Sequence, residues 1–137
     1  SVVIPFTVSD KEEIRVYLFS PWTDKVAPLG GHHLIRTSEN GNEVISKYSQ
    51  TKSCINNDAK QMNDKNMSAI MISHLTSDTP TEMHAFLSMQ YKKPIYVMTT
   101  TNGITWIVEG SKISLLDRMD GKKPFEPSTK KIEGMKQ

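Results

Sequence analysis

The stretch TPTEMHAFLSMQYKKPIYVMTTTNGITWIVEGSKISLL, residues 79–116, decides the fold, because it runs without interruption as helix, strand, hairpin and further strand. Thr79 is placed to cap a helix, Pro80 takes the first helical position, and Glu82 stands three residues after the cap, where its carboxylate reaches back to the Thr79 amide. This predicts a helix over about 80–92. Met83, Phe86, Leu87 and Tyr91 recur on one face of it, with Met89 at the border, while His84, Ser88 and Lys92 fall opposite, turned towards water. Beyond it, strands over Pro94 to Thr99 and Ile104 to Glu109 flank Asn102-Gly103, the dipeptide best suited to a tight hairpin turn. A two-residue loop there pairs Val97 with Val108, Met98 with Ile107 and Thr99 with Trp106. Ile113, Leu115 and Leu116 supply one more strand.

Upstream, Val2 to Val8 and Glu13 to Phe19 are rich in β-branched and aromatic residues and form a first hairpin across the polar link Ser9 to Glu12. In the second run Ile14, Val16 and Leu18 share the face expected to be dry, and Arg15, Tyr17 and Phe19 the wetter one. Ser20 to Gly31, with Pro21, Pro28, Gly30 and Gly31, has no periodicity and is expected to be an exposed loop. Asn40-Gly41 marks a second hairpin, pairing Thr37 with Val44 and Ile35 with Ser46, although its pattern leaves the register loosely fixed. A short helix is expected near Asp58 to Met62, and the apolar run in Ser68 to Ser73 suits a strand buried on both faces near the sheet centre.

The expected fold class is therefore α+β: residues 1–117 as one domain, with a mostly antiparallel sheet of about six to eight strands and one main packed helix. Residues 118–137 carry six basic and three acidic side chains among Gly121, Pro124, Pro127 and Gly134, the composition of an irregular basic tail. The 137 residues suffice for a real core. A net charge of +2 gives no field that would select nucleic acid or an anionic membrane, and no run of 18 apolar residues predicts a membrane span. The chain opens at Ser1, as it would after removal of a leader or within a longer precursor.

Candidate chemistry is sparse. Cys54 is the single thiol, so no internal disulfide is available, and a cysteine hydrolase or transferase would pair it with His74 or His84 as the base. A His-dependent nuclease or phosphodiesterase would use His32 or His33 with Arg36 and Lys47 on phosphate, yet adjacent strand residues point to opposite faces and cannot chelate or clamp together. No phosphate-binding glycine loop, calcium loop or metal-ligand spacing is present, so no cofactor or metal is expected. Trp22, set among Ser20, Pro21, Thr23 and Asp24, is either a recognition anchor or a plug folded over an open end of the core. These features favour a non-enzymatic protein-binding module, such as an inhibitor, immunity protein or host-directed factor of bacterial, phage or viral origin. Trp22, Lys25, His32 and His33 are the expected contact residues.

Overall fold

The computed structural model describes residues 1–8 and 11–118; the link at Ser9 and Asp10 and the predicted tail from 119 onward lie outside the described residues. Among the described residues there are ten strands and two helices, and the fold is α+β with mostly antiparallel sheets. The first sheet has the order β1 (Val2–Val8), β2 (Lys11–Leu18), β4 (His33–Ser38), β5 (Val44–Ser49), antiparallel throughout. The second has the order β10 (Lys112–Arg118), β9 (Ile104–Glu109), β8 (Ile95–Thr99), β7 (Ile70–His74). Only its β7–β8 pair is parallel, joined by the crossover helix α2 (Glu82–Tyr91). Two three-residue strands, β3 (Val26–Pro28) and β6 (Asn56–Asp58), form a small separate ladder beside α1 (Ala59–Met62). That ladder accounts for the excess over six to eight strands.

Helix α2 starts two residues later than its sequence pattern suggests. Thr81, extended at φ −103° and ψ 169°, takes the cap in place of Thr79, because its amide and hydroxyl meet the His84 imidazole three residues on. Thr81 is the N-cap, and its backbone N–H donates to Nδ1 of His84 at 3.0 Å. A histidine thus fills the place that Glu or Gln takes in a capping box. The buried positions are Met83, His84, Leu87, Ser88 and Tyr91, which corrects the expectation that His84 and Ser88 face water. The reason is coverage on two sides. One flank of α2 packs on β8 and β9, and the other meets the first sheet, where Phe19 and Phe86 rings lie 4.5 Å apart.

Several other expectations are revised by packing. The inward face of β2 is Glu13, Arg15 and Tyr17, continued by Phe19 just past the strand, with Tyr17 buried, whereas Ile14 and Val16 are half-buried and Leu18 is exposed. Aromatic reach decides this, since Tyr17 and Phe19 are the side chains that span the gap to α2. Residues 20–31 are not an exposed loop: Ala27 and Leu29 are core members, held by β3 and by Leu29 N–H donating to Ile55 O at 2.7 Å. β7 lies at an edge and alternates, with Met71 79% exposed, so the apolar run does not mark the sheet centre.

Both predicted hairpin registers move. Val97 pairs with Trp106 and Thr99 with Ile104, because Asn102 Oδ1 accepts from Thr99 Oγ1 and Gly103 N–H donates to Thr99 O at 2.9 Å, enclosing four loop residues. The shift is by two, so every side chain keeps its face. In the other hairpin Thr37 does pair with Val44, but a bulge then sets Arg36 against Ser46 and Ile35 against Lys47.

Leu87, 1% exposed, and Met71 measure this arrangement against each other. Leu87→Ala is expected to cost about 2–5 kcal/mol in urea-induced unfolding, and Met71→Ala to stay within about 0.5 kcal/mol.

Candidate functional site

Two constellations stand out: an apolar groove at the surface and a group of imidazoles behind it. The groove, about 470 Å³, runs between β1, β2 and α2 and is lined chiefly by Val2, Ile4, Phe6, Phe19, Phe86 and Met89. This volume falls within the ~300–1,000 Å³ of typical ligand clefts. Its β1 wall follows from strand periodicity, since residues 2, 4 and 6 turn to the same side, and all three remain exposed. β1 is an edge strand, where Pro5 is tolerated within the ladder because alternate N–H groups of an edge point away from the neighbouring strand.

The polar end of the groove is a charge chain. Arg36 and Arg15 both donate to the Glu13 carboxylate, Arg15 lies 3.5 Å from Glu82, and Tyr17 OH donates to Glu82. The Arg36 guanidinium holds the Glu13 carboxyl below its ordinary range. Burial, with the Glu82 carboxylate beside it, pushes the Tyr17 phenol up to about 12. The Arg15 guanidinium also lies 3.7 Å over the Phe6 ring, which ties the edge strand to this chain.

Behind the groove, Trp22 is half-buried, stacks on His32 at 14° and 5.8 Å, touches Phe19 and Phe86, and donates from Nε1 to Tyr91 OH at 2.7 Å. Tyr91 OH in turn donates to Pro28 O. This is the plug geometry. His32 has no accessible surface, its Nδ1 accepts from Ser20 N–H at 3.1 Å, and its Nε2 has no partner among the described residues. His33 is exposed on the opposite side of the sheet and Lys25 is exposed ahead of β3. The four expected contact residues therefore do not form one surface, and a buried His32 touches no partner.

His74 and His84 are both buried, with ring centroids 4.7 Å apart at 89°. Ser77 Oγ donates to Thr79 O and Thr76 Oγ1 to Gln50 O, so both hydroxyls face His74 Nε2 as acceptors and that nitrogen carries the proton. It is thus no base towards Ser77. His84 Nδ1 is occupied by the Thr81 amide. Cys54 is exposed, and its sulfur lies over Gly31, where an added Cβ would approach Sγ to 2.9 Å; no hydrogen bond links it to either imidazole. The Cys54 dyad is not assembled. Arg36 is engaged by Glu13 and Lys47 lies on the outer face of β5, so neither joins His32 in a phosphate clamp. Among the described residues no group of three His, Cys, Asp or Glu side chains is arranged to hold a metal ion. Sequence reasoning missed the groove because its walls come from three elements; the recoverable signal was the alternation of Val2, Ile4 and Phe6.

Burial lowers the pKa of all three core imidazoles from 6.5; for His84, with the charge of His74 adding to burial, it falls to about 4. His33 beside His32, and Tyr91 bonded to the Trp22 that stacks on it, are the other titratable groups near them. The unfolded chain then binds more protons than the folded one below pH ~6.5, so stability is complete above that pH and is lost as pH falls towards 4. His84→Gln keeps the capping acceptor and removes the titration; melting curves from pH 7 to 4 are expected to flatten, recovering on the order of 3 kcal/mol at the acid end. No protein-family model, curated protein or solved structure matches the chain.

Proposed function

We propose that the protein is a non-enzymatic binding module, in the class of inhibitors, immunity proteins or host-directed factors, and that it takes an extended apolar segment of a partner protein in the groove between β1 and α2. The observation that carries this reading is the groove's construction along a sheet edge that no other strand among the described residues pairs with, with exposed Val2, Ile4 and Phe6 at every second position. An extended peptide also projects side chains with a period of two, so alternate residues seat between those of β1 while its backbone runs beside the edge. The Arg15–Glu82 pair at one end supplies a donor and an acceptor that fix the segment's direction. Trp22 acts from behind, holding Phe19 and Phe86 in place.

The reading is supported from the other side by the imidazoles, each of which has one nitrogen committed, to Ser20, Ser77 or Thr81. A recognition surface therefore accounts for more of the exposed chemistry than a reaction does. The test is selection of random peptides displayed on phage against the folded full chain. Enriched peptides are expected to carry apolar residues at alternate positions, to bind Ile4→Lys and Phe6→Asp at least ten-fold more weakly, and to bind Met71→Lys as they bind the parent. Peptides indifferent to both groove substitutions, or no enrichment at all, would remove the groove from the function.

A further inference from the structure

Three imidazoles lie where the N-terminal layer meets the C-terminal one, each carried by a different element. His32 stands immediately before β4, His74 ends β7 and His84 lies in the first turn of α2, and all three are at most 3% exposed. His74 and His84 are in ring contact, while His32 lies edge-on to Phe19 and stacked on Trp22, the two rings that meet Phe86 at the groove. The bonds fix where a second proton must go. His32 Nδ1 accepts from Ser20 N–H at 3.1 Å and His84 Nδ1 accepts from Thr81 N–H at 3.0 Å, so in each ring the proton of the neutral form is on Nε2. An imidazolium at either place sets one N–H against another and breaks the bond. The first bond ties the segment carrying Trp22 to β4; the second caps α2. His74 donates from Nε2 to Ser77 Oγ and keeps that bond when charged, so it acts by repulsion on the His84 ring 4.7 Å away.

No counter-charge offsets this. Among the described residues no carboxylate pairs with any of the three rings. β2 turns Glu13, Arg15 and Tyr17 inward, but these, with Arg36 of β4 and Glu82 of α2, are bonded among themselves. His33 beside His32 and Tyr91 bonded to Trp22 are the remaining titratable neighbours, and the buried positions of β7, β8 and β9 besides His74 are Ile70, Ile72, Ile95, Val97, Thr99 and Val108, none of which titrates. We propose that this seam is an acid-operated latch on the groove: protons on His32 and His84 release the N-terminal sheet from α2, part the walls and discharge the segment held between β1 and α2. The opening follows from the imidazoles alone, whereas the discharge rests on the groove being the binding site. Burial lowers the pKa of His32 and takes that of His84 to about 4, while rings exposed by opening titrate near ~6.5. Below that pH the open form binds protons that the closed form refuses, and His84 alone favours opening roughly fifty-fold more at pH 4.5 than at pH 7. The C-terminal unit outlasts the opening, because β7 to β10 pair only with one another among the described residues.

Trp22 reports the seam directly in the full chain carrying Trp106→Phe, where it is the single indole. On titration from pH 7 to 4 its emission is expected to shift reversibly to the red while most of the far-ultraviolet circular dichroism is kept, with a slope of log K against pH of about two. His32→Gln and His84→Gln together retain an acceptor for both amides without titrating, and are expected to hold Trp22 in its neutral-pH state down to pH 4.5; exposed His33→Gln leaves the titration in place. Should the double variant fail to fold at pH 7, the slope of the parent decides. A peptide selected on the groove at pH 7 is expected to bind the parent at least ten-fold more weakly at pH 4.5 and the double variant equally at both. No red shift above pH 4, a shift that coincides with global loss of the dichroism, or a slope of one or less overturns the latch. A seam that opens while the peptide stays bound overturns the discharge and leaves the groove reading intact. A selection that yields no peptide removes the groove reading, and with it the discharge, while the Trp22 titration still decides the opening.

Discussion

Helix α2 is covered on two sides, and the rest of the structure follows from that coverage. A helix lying on one sheet needs a stripe of apolar residues; one held between a sheet and a second layer must bury a wider arc, and here the arc takes in His84 and Ser88. Polar groups in such a place need partners. Ser88 Oγ lies 2.8 Å from Lys93 O and accepts from Gly110 N–H at 2.9 Å, so it stitches the helix C-terminus to the turn between β9 and β10. His84 does the corresponding work at the N-terminus by accepting from Thr81. The two residues that look least suited to a core are those that fix the helix lengthwise.

The same coverage explains the charge chain. Glu82 opens the helix in front of Arg15 and Tyr17, and Arg15 continues through Glu13 to Arg36, so one connected set of bonds spans α2, β2 and β4. Its members sit at a half-wet margin, where breaking one link leaves a carboxylate facing apolar surface and where an intact set orients the sheet over the helix. The groove exists because this set holds the sheet at one end while Phe19 and Phe86 prop it at the other. Between those supports the layers do not close.

The helix, the hairpins and the α+β class were legible from periodicity and turn residues, because these are local signals. What periodicity could not decide was parity and layer. β2 carries apolar groups on both faces, and aliphatic content pointed to Ile14, Val16 and Leu18 as the interior, whereas the length of Tyr17 and Phe19 selected the other face. The Asn102-Gly103 hairpin shows the opposite case: the register moved by two and no face changed, so the inward positions of Val97 and Val108 survived an incorrect pairing. The apolar run in β7 was ambiguous between centre and edge because its outward Met71 looks no different in sequence from a buried one. As for the candidate site, His74 and His84 stood out only as alternative bases for Cys54; that they lie against each other in the interior was not legible, since nothing local reveals that two layers will enclose them.

The bonds that seat the N-terminal segments on the helix join residues far apart along the chain: Tyr17 to Glu82, Trp22 to Tyr91, and Tyr91 to Pro28, at separations of 65, 69 and 63. By contrast β7, α2, β8, β9 and β10 are contiguous in sequence and each strand pairs with its nearest successor. Loop-closure entropy therefore lets the C-terminal half assemble as one cooperative unit before the N-terminal sheet has anything to dock on. Read in reverse, the earliest partial opening of the native state lifts the N-terminal sheet away and leaves the βαβ unit folded, so backbone amides of β1 and β5 exchange with solvent well ahead of those in β8.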